Sequence, residues 1–457
     1  MADPRTVAVI DIGKTNVKVA IFDLVTQTEC DRLSTANTVL QTVPYPHFDI
    51  EALWLFIVDS MRELRTRHSI DAISITAHGA SAALLDASGE LALPVLDYEY
   101  EGPQSLASEY GGLRPSFTET GSPRLPAGLN LGAQIYWQSK TFPAAFANVK
   151  WIVTYPQYWA FRLSGVFATE VTSLGCHTDL WDFRKRDYSG LVYRMNWQHL
   201  MPPTRQASDL LGPLLPDIAK TTGLKPSTPI FCGIHDSNAS LYPHLRAVKA
   251  PFCVVSTGTW VVCMAVGGRE IVLDAERDTL VNVNAFGDAV PSARFMGGRE
   301  YQTLFEPLQD APTSVDIKIV LQQSSMVLPS VSAGSGPFPN QPMKWLNDKG
   351  LKRQQRQIAA SFYLALMTAT CLSLIGAQGP TVIEGPFAEN LNYLQMLSAA
   401  TGRPVFTDAV KGTGTTKGAA LLCLPDSESA SSLRSIPPAE LNFDKYAEEW
   451  NAMTTGY

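Results

Sequence analysis

Two segments of this chain repeat one pattern. Residues 7–23 read VAVIDIGKTNVKVAIFD and residues 252–268 read FCVVSTGTWVVCMAVGG. Each is an apolar, β-branched run, a tight polar turn carrying Gly and Thr, and a second apolar run, so each predicts strand–turn–strand. Such turns aim backbone N–H groups and hydroxyls at one spot, which cradles phosphate. Two such hairpins in one chain are the pattern of a two-lobed phosphotransferase with a nucleotide held between the lobes.

A chain of 457 residues that is 45% hydrophobic and 17% charged has material for two cores rather than one. Its net charge of −7, with no long Lys/Arg run, speaks against nucleic acid or an anionic membrane surface as the main partner. No run of about 18 consecutive apolar residues predicts a membrane span, and the start, MADPRTVAVI, lacks the apolar core of a signal peptide. A cytoplasmic protein is expected. The seven Cys at 30, 176, 232, 253, 263, 371 and 423 form no CxxC pair and read as buried free thiols. A homodimer stays open.

Strands and helices mix along the chain, which points to an α/β class. Helices are expected at 49–65 (after an Asp49 cap), 134–140, 153–163, 358–374 and 391–401, and strands at 72–75, 82–85, 229–233 and 381–383. A strand–turn–helix is expected over 405–424. The domain boundary is placed near 243–251, giving lobes 1–245 and 246–457. The Ser/Pro-rich tail after Pro425 is expected to be peripheral.

The turn Asp11-Ile12-Gly13-Lys14-Thr15-Asn16 contains Gly-Lys-Thr but is no P-loop. The required glycine five residues earlier is Ala8, and a strand rather than a helix follows. As a phosphate hairpin, Gly13 supplies close backbone approach, Thr15 and Asn16 supply donors, and Lys14 or Lys18 a counter-charge. Asp11 would hold Mg²⁺, which takes one or two carboxylates plus phosphates. An ordinary hairpin remains the alternative. The second turn, Ser256-Thr257-Gly258-Thr259-Trp260, offers hydroxyls without charge. Gly233-Ile234-His235-Asp236 ends a strand and opens a helix, where a carboxylate can take a proton from a bound hydroxyl, worth about 10²- to 10⁴-fold in rate. The helix N-terminus is expected to keep Asp236 ionised; a simple N-cap is the competing reading. His78 sits on a turn after a strand, where it can meet a sugar hydroxyl. With no HExxH or closely spaced Cys/His set, a structural zinc site is not expected.

In this order the motifs resemble the FGGY carbohydrate kinases: Asp11-Ile12-Gly13-Lys14-Thr15, Gly-x-His-Asp, Ser-Thr-Gly-Thr-Trp, the turn 385–390 and Gly418-Ala419-Ala420-Leu421. The resemblance runs over nearly the whole chain. It implies the two-lobed, ribonuclease-H-like (actin/hexokinase-type) ATPase fold and transfer of the γ-phosphoryl group of ATP, with Mg²⁺, to a sugar hydroxyl. By position, Asp236 matches the catalytic base, and Asp11 and Asp236 the metal carboxylates. Gly13, Lys14, Thr15, Asn16 and Lys18 match the first phosphate turn and Thr257, Gly258 and Thr259 the second. Gly298 and Gln302 would flank the nucleotide, and Gly385, Pro386 and Asn390 match the adenosine turn. His78, Gly79, His235, Asp236, Ser237 and Asn238 match the sugar side. Two departures stand out. Pro386 and Phe387 replace smaller residues of the adenosine turn, which places Phe387 to stack on or crowd an adenine. Asp97-Tyr98-Glu99-Tyr100-Glu101 stands where the family carries Asp-x-Arg.

His235-Asp236-Ser237 with Ser-Thr-Gly-Thr-Trp looks most like kinases of 6-deoxyketohexoses (rhamnulokinase and fuculokinase, acting on L-rhamnulose and L-fuculose), whereas Ala77-His78-Gly79 looks like xylulokinase. The expected reaction is phosphorylation of a ketose, with a xylulose, ribulose or polyol kinase, a sugar-binding regulator and an actin-fold ATPase as alternatives.

Overall fold

The computed structural model describes residues 4–305, 311–408, 414–424, 433–439 and 441–455. The chain divides into two compact units. The first holds Met1–Arg246, and the chain returns to it twice, at Val281–Ala289 and Gly412–Ser429; the second holds Ala247–Leu280, Val290–Lys411 and Ala430–Tyr457.

In the first unit, β1 (Thr6–Ile12), β2 (Asn16–Asp23) and β3 (Thr28–Ala36) form an antiparallel meander. Helix α1 (Ile50–Leu64) follows, with the Asp49 carboxylate accepting from Ala52 N at 3.1 Å. Beyond it come β4 (Ala72–Ala77), β5 (Leu210–Pro213), β6 (Pro229–Phe231) and β7 (Ile234–His235). The sheet order is β5-β6-β4-β1-β2-β3, with β7 also on β4. The pairs β1–β4, β4–β6 and β4–β7 are parallel. All residues of β1 and β4 are buried, as central parallel strands covered on both faces must be. Helix α1 and the helix Tyr155–Ser164 cover one face of the sheet. Helix α2 (Asp236–Ala247) and the returning helix Gly414–Leu421 belong to a second apolar cluster built on Val7, Val9, Ala72 and Ile234.

Val153 belongs to the strand Trp151–Thr154, and the helix expected from 153 starts at Tyr155, with Pro156 in its first turn. Proline there lacks only an N–H that a first turn leaves unpaired anyway.

The second unit repeats the plan. Here β8 (Phe252–Thr257) and β9 (Val261–Val266) are the second hairpin. They are followed by β10 (Ala289–Phe295), α3 (Arg353–Leu374), β11 (Thr381–Glu384), α4 (Leu391–Thr401), β12 (Val405–Asp408) and β13 (Leu433–Ser435). The strands run in the order β10-β9-β8-β11-β12-β13, and β8–β11 and β11–β12 are parallel. Helix α3 is long and apolar enough to cross a membrane by composition alone. Its Ile358, Phe362, Leu364, Ala365 and Leu372 are fully buried in this unit's core, which is the ordinary cause of such a run in a core helix. The turn of the expected 405–424 strand–turn–helix falls on residues 409–413, outside the described residues, as does 425–432 of the tail.

Candidate active site

Three predicted residues converge because three neighbouring strands end together. Asp11 lies near the carboxyl end of β1, His78 follows β4, and Asp236 follows β7. The carboxyl ends of parallel strands are where open α/β sheets gather their ligands. Gly233 makes this geometry: its φ is +86°, and a Cβ there would stand 2.6 Å from the Ile75 carbonyl oxygen. The kink lets the chain leave β6 and pair again with β4 as β7, Ile234 opposite Thr76 and His235 opposite Ala77.

The Asp236 side chain is 31% exposed. Its Oδ1 accepts from Ser237 N at 2.6 Å and Ser237 Oγ at 3.3 Å, and His235 Nε2 lies 3.1 Å from it. Its Oδ2 has no partner among the described residues. A cap would accept from the second or third N–H of the helix; Asp236 accepts from the first. Burial works against the expected stabilisation of the ionised form by the helix end. Burial raises its pKa, and His78 and the Ser237 bonds only partly offset that.

His235 is buried and pushed down to about 4 by desolvation, so it is neutral at pH 7. Its Nε2 faces Asp236 and lies 3.5 Å from Cys176 Sγ, and its Nδ1 lies 3.5 Å from Asn238 Nδ2. Both ring nitrogens therefore meet protein groups, which makes His235 a positioning residue. Gly79 permits this, since a Cβ there would stand 2.9 Å from His235 Nε2. Behind them runs a relay that sequence reasoning missed. The His235 amide donates to Thr172 Oγ1 at 3.0 Å, and Thr172 Oγ1 donates to the buried Glu170 at 2.5 Å. No local signal marks Glu170 or Thr172, which lie 63 or more residues before His235.

His78 is buried and held well below its ordinary pKa by desolvation. Its Nδ1 donates to the Gly79 carbonyl oxygen at 2.9 Å, leaving Nε2 as a buried acceptor without a partner among the described residues.

On the first hairpin, Asp11 and Lys18 are directly opposite across β1 and β2, and Lys18 Nζ stands 3.2 Å from Asp11 Oδ2. Thr415 Oγ1 donates to the same oxygen at 2.9 Å. The Gly13 amide closes the turn onto the Asn16 carbonyl at 2.9 Å, and Asn37 Nδ2 pins Gly13 O at 2.8 Å. Thr15 and Asn16 are exposed at the tip. Lys14 does not join them: its ammonium is bonded to Asp97 and lies 3.5 Å from Glu99.

In the second unit, the hairpin tip, the 297–304 helix and the 385 turn pack as one group. The Gly298 amide donates to Thr259 O at 3.1 Å, and a Cβ on Gly298 would stand 2.0 Å from the Gly258 carbonyl oxygen. Gln302 is exposed on that helix. The Thr257 hydroxyl donates to Glu384 O and accepts from Phe387 N at 3.1 Å, so it ties the 385 turn to the hairpin. Gly385 (φ +80°) leaves no room for a side chain, because a Cβ would meet Thr257 O at 2.0 Å. Pro386 is exposed. Asn390 caps α4, accepting from Tyr393 N at 3.2 Å and donating to Ser361 Oγ at 2.9 Å. Phe387 is turned into the core against Tyr301 and Tyr393, 6% exposed. It stands away from the surface of the turn, where crowding of an adenine had been expected.

The residues fit a magnesium ion. Asp11 is raised by burial and further by the Asp236 charge, against the lowering effect of Lys18 and Thr415. Two carboxylates that oppose each other's ionisation gain from a divalent cation, and Mg²⁺ needs few protein ligands. Among the described residues no group of three or more His, Cys, Asp or Glu forms a denser metal cage.

A hairpin, a carboxylate at a strand–helix junction and this strand order are those of the actin/hexokinase-like ATPase fold. Residues 6–242 match the N-terminal domain of the FGGY family of carbohydrate kinases, and residues 249–432 match the family's C-terminal domain (Carbohydrate kinase FGGY, C-terminal domain). The chain belongs to this family. The L-fuculokinase of Salmonella typhi is 25% identical over 58% of this chain and 57% of its own length. The xylulose kinase of Escherichia coli K12 is 26% identical over 56% and 53%. The matched region thus spans a little over half of these curated relatives. A solved structure of a carbohydrate kinase from Novosphingobium aromaticivorans is 35% identical, covers 99% of both chains and has a TM-score of 0.91.

Proposed function

We propose that this protein transfers the γ-phosphoryl group of ATP to a hydroxyl of a ketose, with Asp236 as general base. The observation that carries this is the division of labour on one carboxylate. Oδ1 is held by Ser237, while Oδ2 is free of partners among the described residues, at the end of the strands that carry Asp11 and His78. Oδ2 accepts the proton of the attacking hydroxyl as its oxygen bonds to phosphorus and ADP leaves. Its raised pKa makes it a better proton acceptor than an exposed aspartate.

Thr172 and Glu170 hold the His235 backbone, whose ring lies beside Oδ1, and His78 Nε2 accepts from a second hydroxyl and orients the sugar. Asp11 and Asp236 would hold Mg²⁺, which when bound neutralises charge on the transferring phosphates. In the first unit Gly13, Thr15, Asn16 and Lys18 are the candidates to meet phosphate. In the second unit, taken by itself, Gly258 and Thr259 are candidates for phosphate, and Gly298, Gln302, Gly385 and Pro386 for the rest of a nucleotide. Thr257 and Asn390 shape that surface through their bonds within the protein.

The 6-deoxyketohexoses L-fuculose and L-rhamnulose head the substrate list, supported by the His-Asp-Ser motif and the L-fuculokinase relative. Xylulose follows, supported by the His78-Gly79 turn and the xylulose kinase relative. The reaction is placed in the cytoplasm, where ATP is supplied.

The test is ADP release across a panel of ketoses and polyols, with Asp236→Asn alongside. At least one ketose should drive ADP release, and the variant should lose about 10²- to 10⁴-fold in kcat. Near-normal turnover in the variant would end the assignment of the base.

A further inference from the structure

Lys14 is the residue whose side chain departs most from the phosphate turn that carries its backbone. Its ammonium is bonded to Asp97, whose side chain is 10% exposed, and lies 3.5 Å from Glu99. It also stands over two rings, 5.0 Å from the centroid of Phe48 and 4.8 Å from that of Tyr98. Those rings pack against His78, with centroids 5.2 and 5.4 Å away. To reach a phosphate, Lys14 would have to give up two aromatic faces and leave a nearly buried carboxylate with only the Glu99 N–H, at 3.2 Å, and no counter-charge, which is unfavourable.

We propose that Lys14 and Asp97, framed by Phe48, Tyr98 and the unpartnered Nε2 of His78, form the element of this chain that reads the sugar, and that it selects neutral polyhydroxy substrates over carboxylate- or phosphate-bearing ones. This rests on the assignment of Asp236 as the base, since it is Asp236 that places the sugar beside His78. The argument is one of donors and acceptors. Asp97, Glu99, His78 Nε2 and Asp236 Oδ2 are all acceptors, and Lys14 is the cationic donor among them. A hydroxyl both donates and accepts, so a polyol satisfies such a wall. A carboxylate or phosphate only accepts. Within this unit it would meet four carboxylates (Asp11, Asp97, Glu99, Asp236) against two ammonium groups (Lys14, Lys18).

Calorimetric binding of L-fuculose, L-rhamnulose, D-xylulose, D-ribulose, xylitol, gluconate and ATP decides this, using the full chain, Lys14→Met, Asp97→Asn and the double variant. Methionine keeps the stem against the rings. The double variant removes both charges, so neither is left buried alone, and thermal melting checks that each protein is folded. A neutral sugar should bind and gluconate should not. Each single variant should weaken sugar binding by about tenfold to a hundredfold, as expected for hydrogen bonds to charged groups, and leave ATP binding unchanged. The proposal is overturned if Lys14→Met weakens ATP rather than sugar, if sugar binding survives in the folded double variant, if gluconate binds as well as the ketoses, or if no neutral sugar binds. Sugar binding without ADP release would instead count against the kinase reading and leave this pair in place.

Discussion

Asp236 stands where β7 gives way to α2, its Oδ1 accepting from Ser237 N at 2.6 Å. Asp236 is visible in Gly-x-His-Asp because a carboxylate between strand and helix is a local pattern. Its raised pKa was not visible, because burial is made by residues from the whole unit. The direction taken by Lys14 was likewise hidden, its partner Asp97 lying 83 positions away, and the Thr415 bond to Asp11 spans 404. Thr257 and Asn390 look like ligand residues in sequence and bond within the protein, Thr257 to the backbone of Glu384 and Phe387 and Asn390 to Tyr393 N and Ser361 Oγ. Glu170 yields a prediction at this scale. Burial pushes its carboxyl up to about 7, against the bonds from Thr172 and Ser173, whereas an unfolded glutamate titrates near 4.3. The folded protein therefore holds a proton that the unfolded chain releases. The stability this contributes is complete below about pH 4.3 and is lost as pH rises through 7. Urea midpoints measured from pH 4.5 to 8 should fall for the parent relative to Glu170→Gln up to pH 7 and then run parallel. Parallel profiles throughout would show that Glu170 is already ionised at low pH.

Among elements, the two hairpins were legible because β-branched runs around a Gly/Thr turn have few other ways to fold. The start of the helix at Tyr155 was not, because apolar strand and helix segments look alike where they abut. Helix packing was out of reach as well. A Cβ on Gly418 would lie 1.7 Å from the carbonyl oxygen of Ala239, so the helix Gly414–Leu421 meets α2 at a distance only glycine allows. Gly418→Ala should push that helix away, lower the urea midpoint by the equivalent of about 1–3 kcal/mol and, through Thr415, disturb Asp11. An unchanged midpoint would mean the two helices separate freely. Gly233→Ala acts on backbone instead: at φ +86° it should cost about 1–3 kcal/mol and lower kcat more than it raises the KM for ATP, because His235 and Asp236 follow it directly. Steady-state kinetics with both substrates varied would check the split.

For the whole molecule, the order of domains in the sequence is simpler than their order in space. A boundary near residue 245 is easy to infer from the second hairpin, but composition gives no sign that 281–289 and the Gly414–Leu421 helix belong with the first unit. That helix puts Ala419, Ala420 and Leu421 against Val7, Val9 and Ala72. A fragment ending at Arg246 should therefore expose this apolar face and, on purification, be aggregated or lack cooperative melting. Adding a peptide spanning 412–429 should restore some protection. A soluble, cooperatively melting fragment would show that the helix is dispensable.

The returning helix also sets a schedule. Chains generally fold domain by domain from the N-terminus as they leave the ribosome, yet here the first strand waits for a partner made more than four hundred residues later. While the second unit is synthesised, the face of β1 bearing Val7 and Val9 is covered by α2 alone and lacks Ala419, Ala420 and Leu421, so the nascent first half keeps an incomplete apolar cluster. The carboxylate of Asp11 receives its Thr415 bond only when synthesis is nearly done, so the end of β1 takes its final form with the last tenth of the chain.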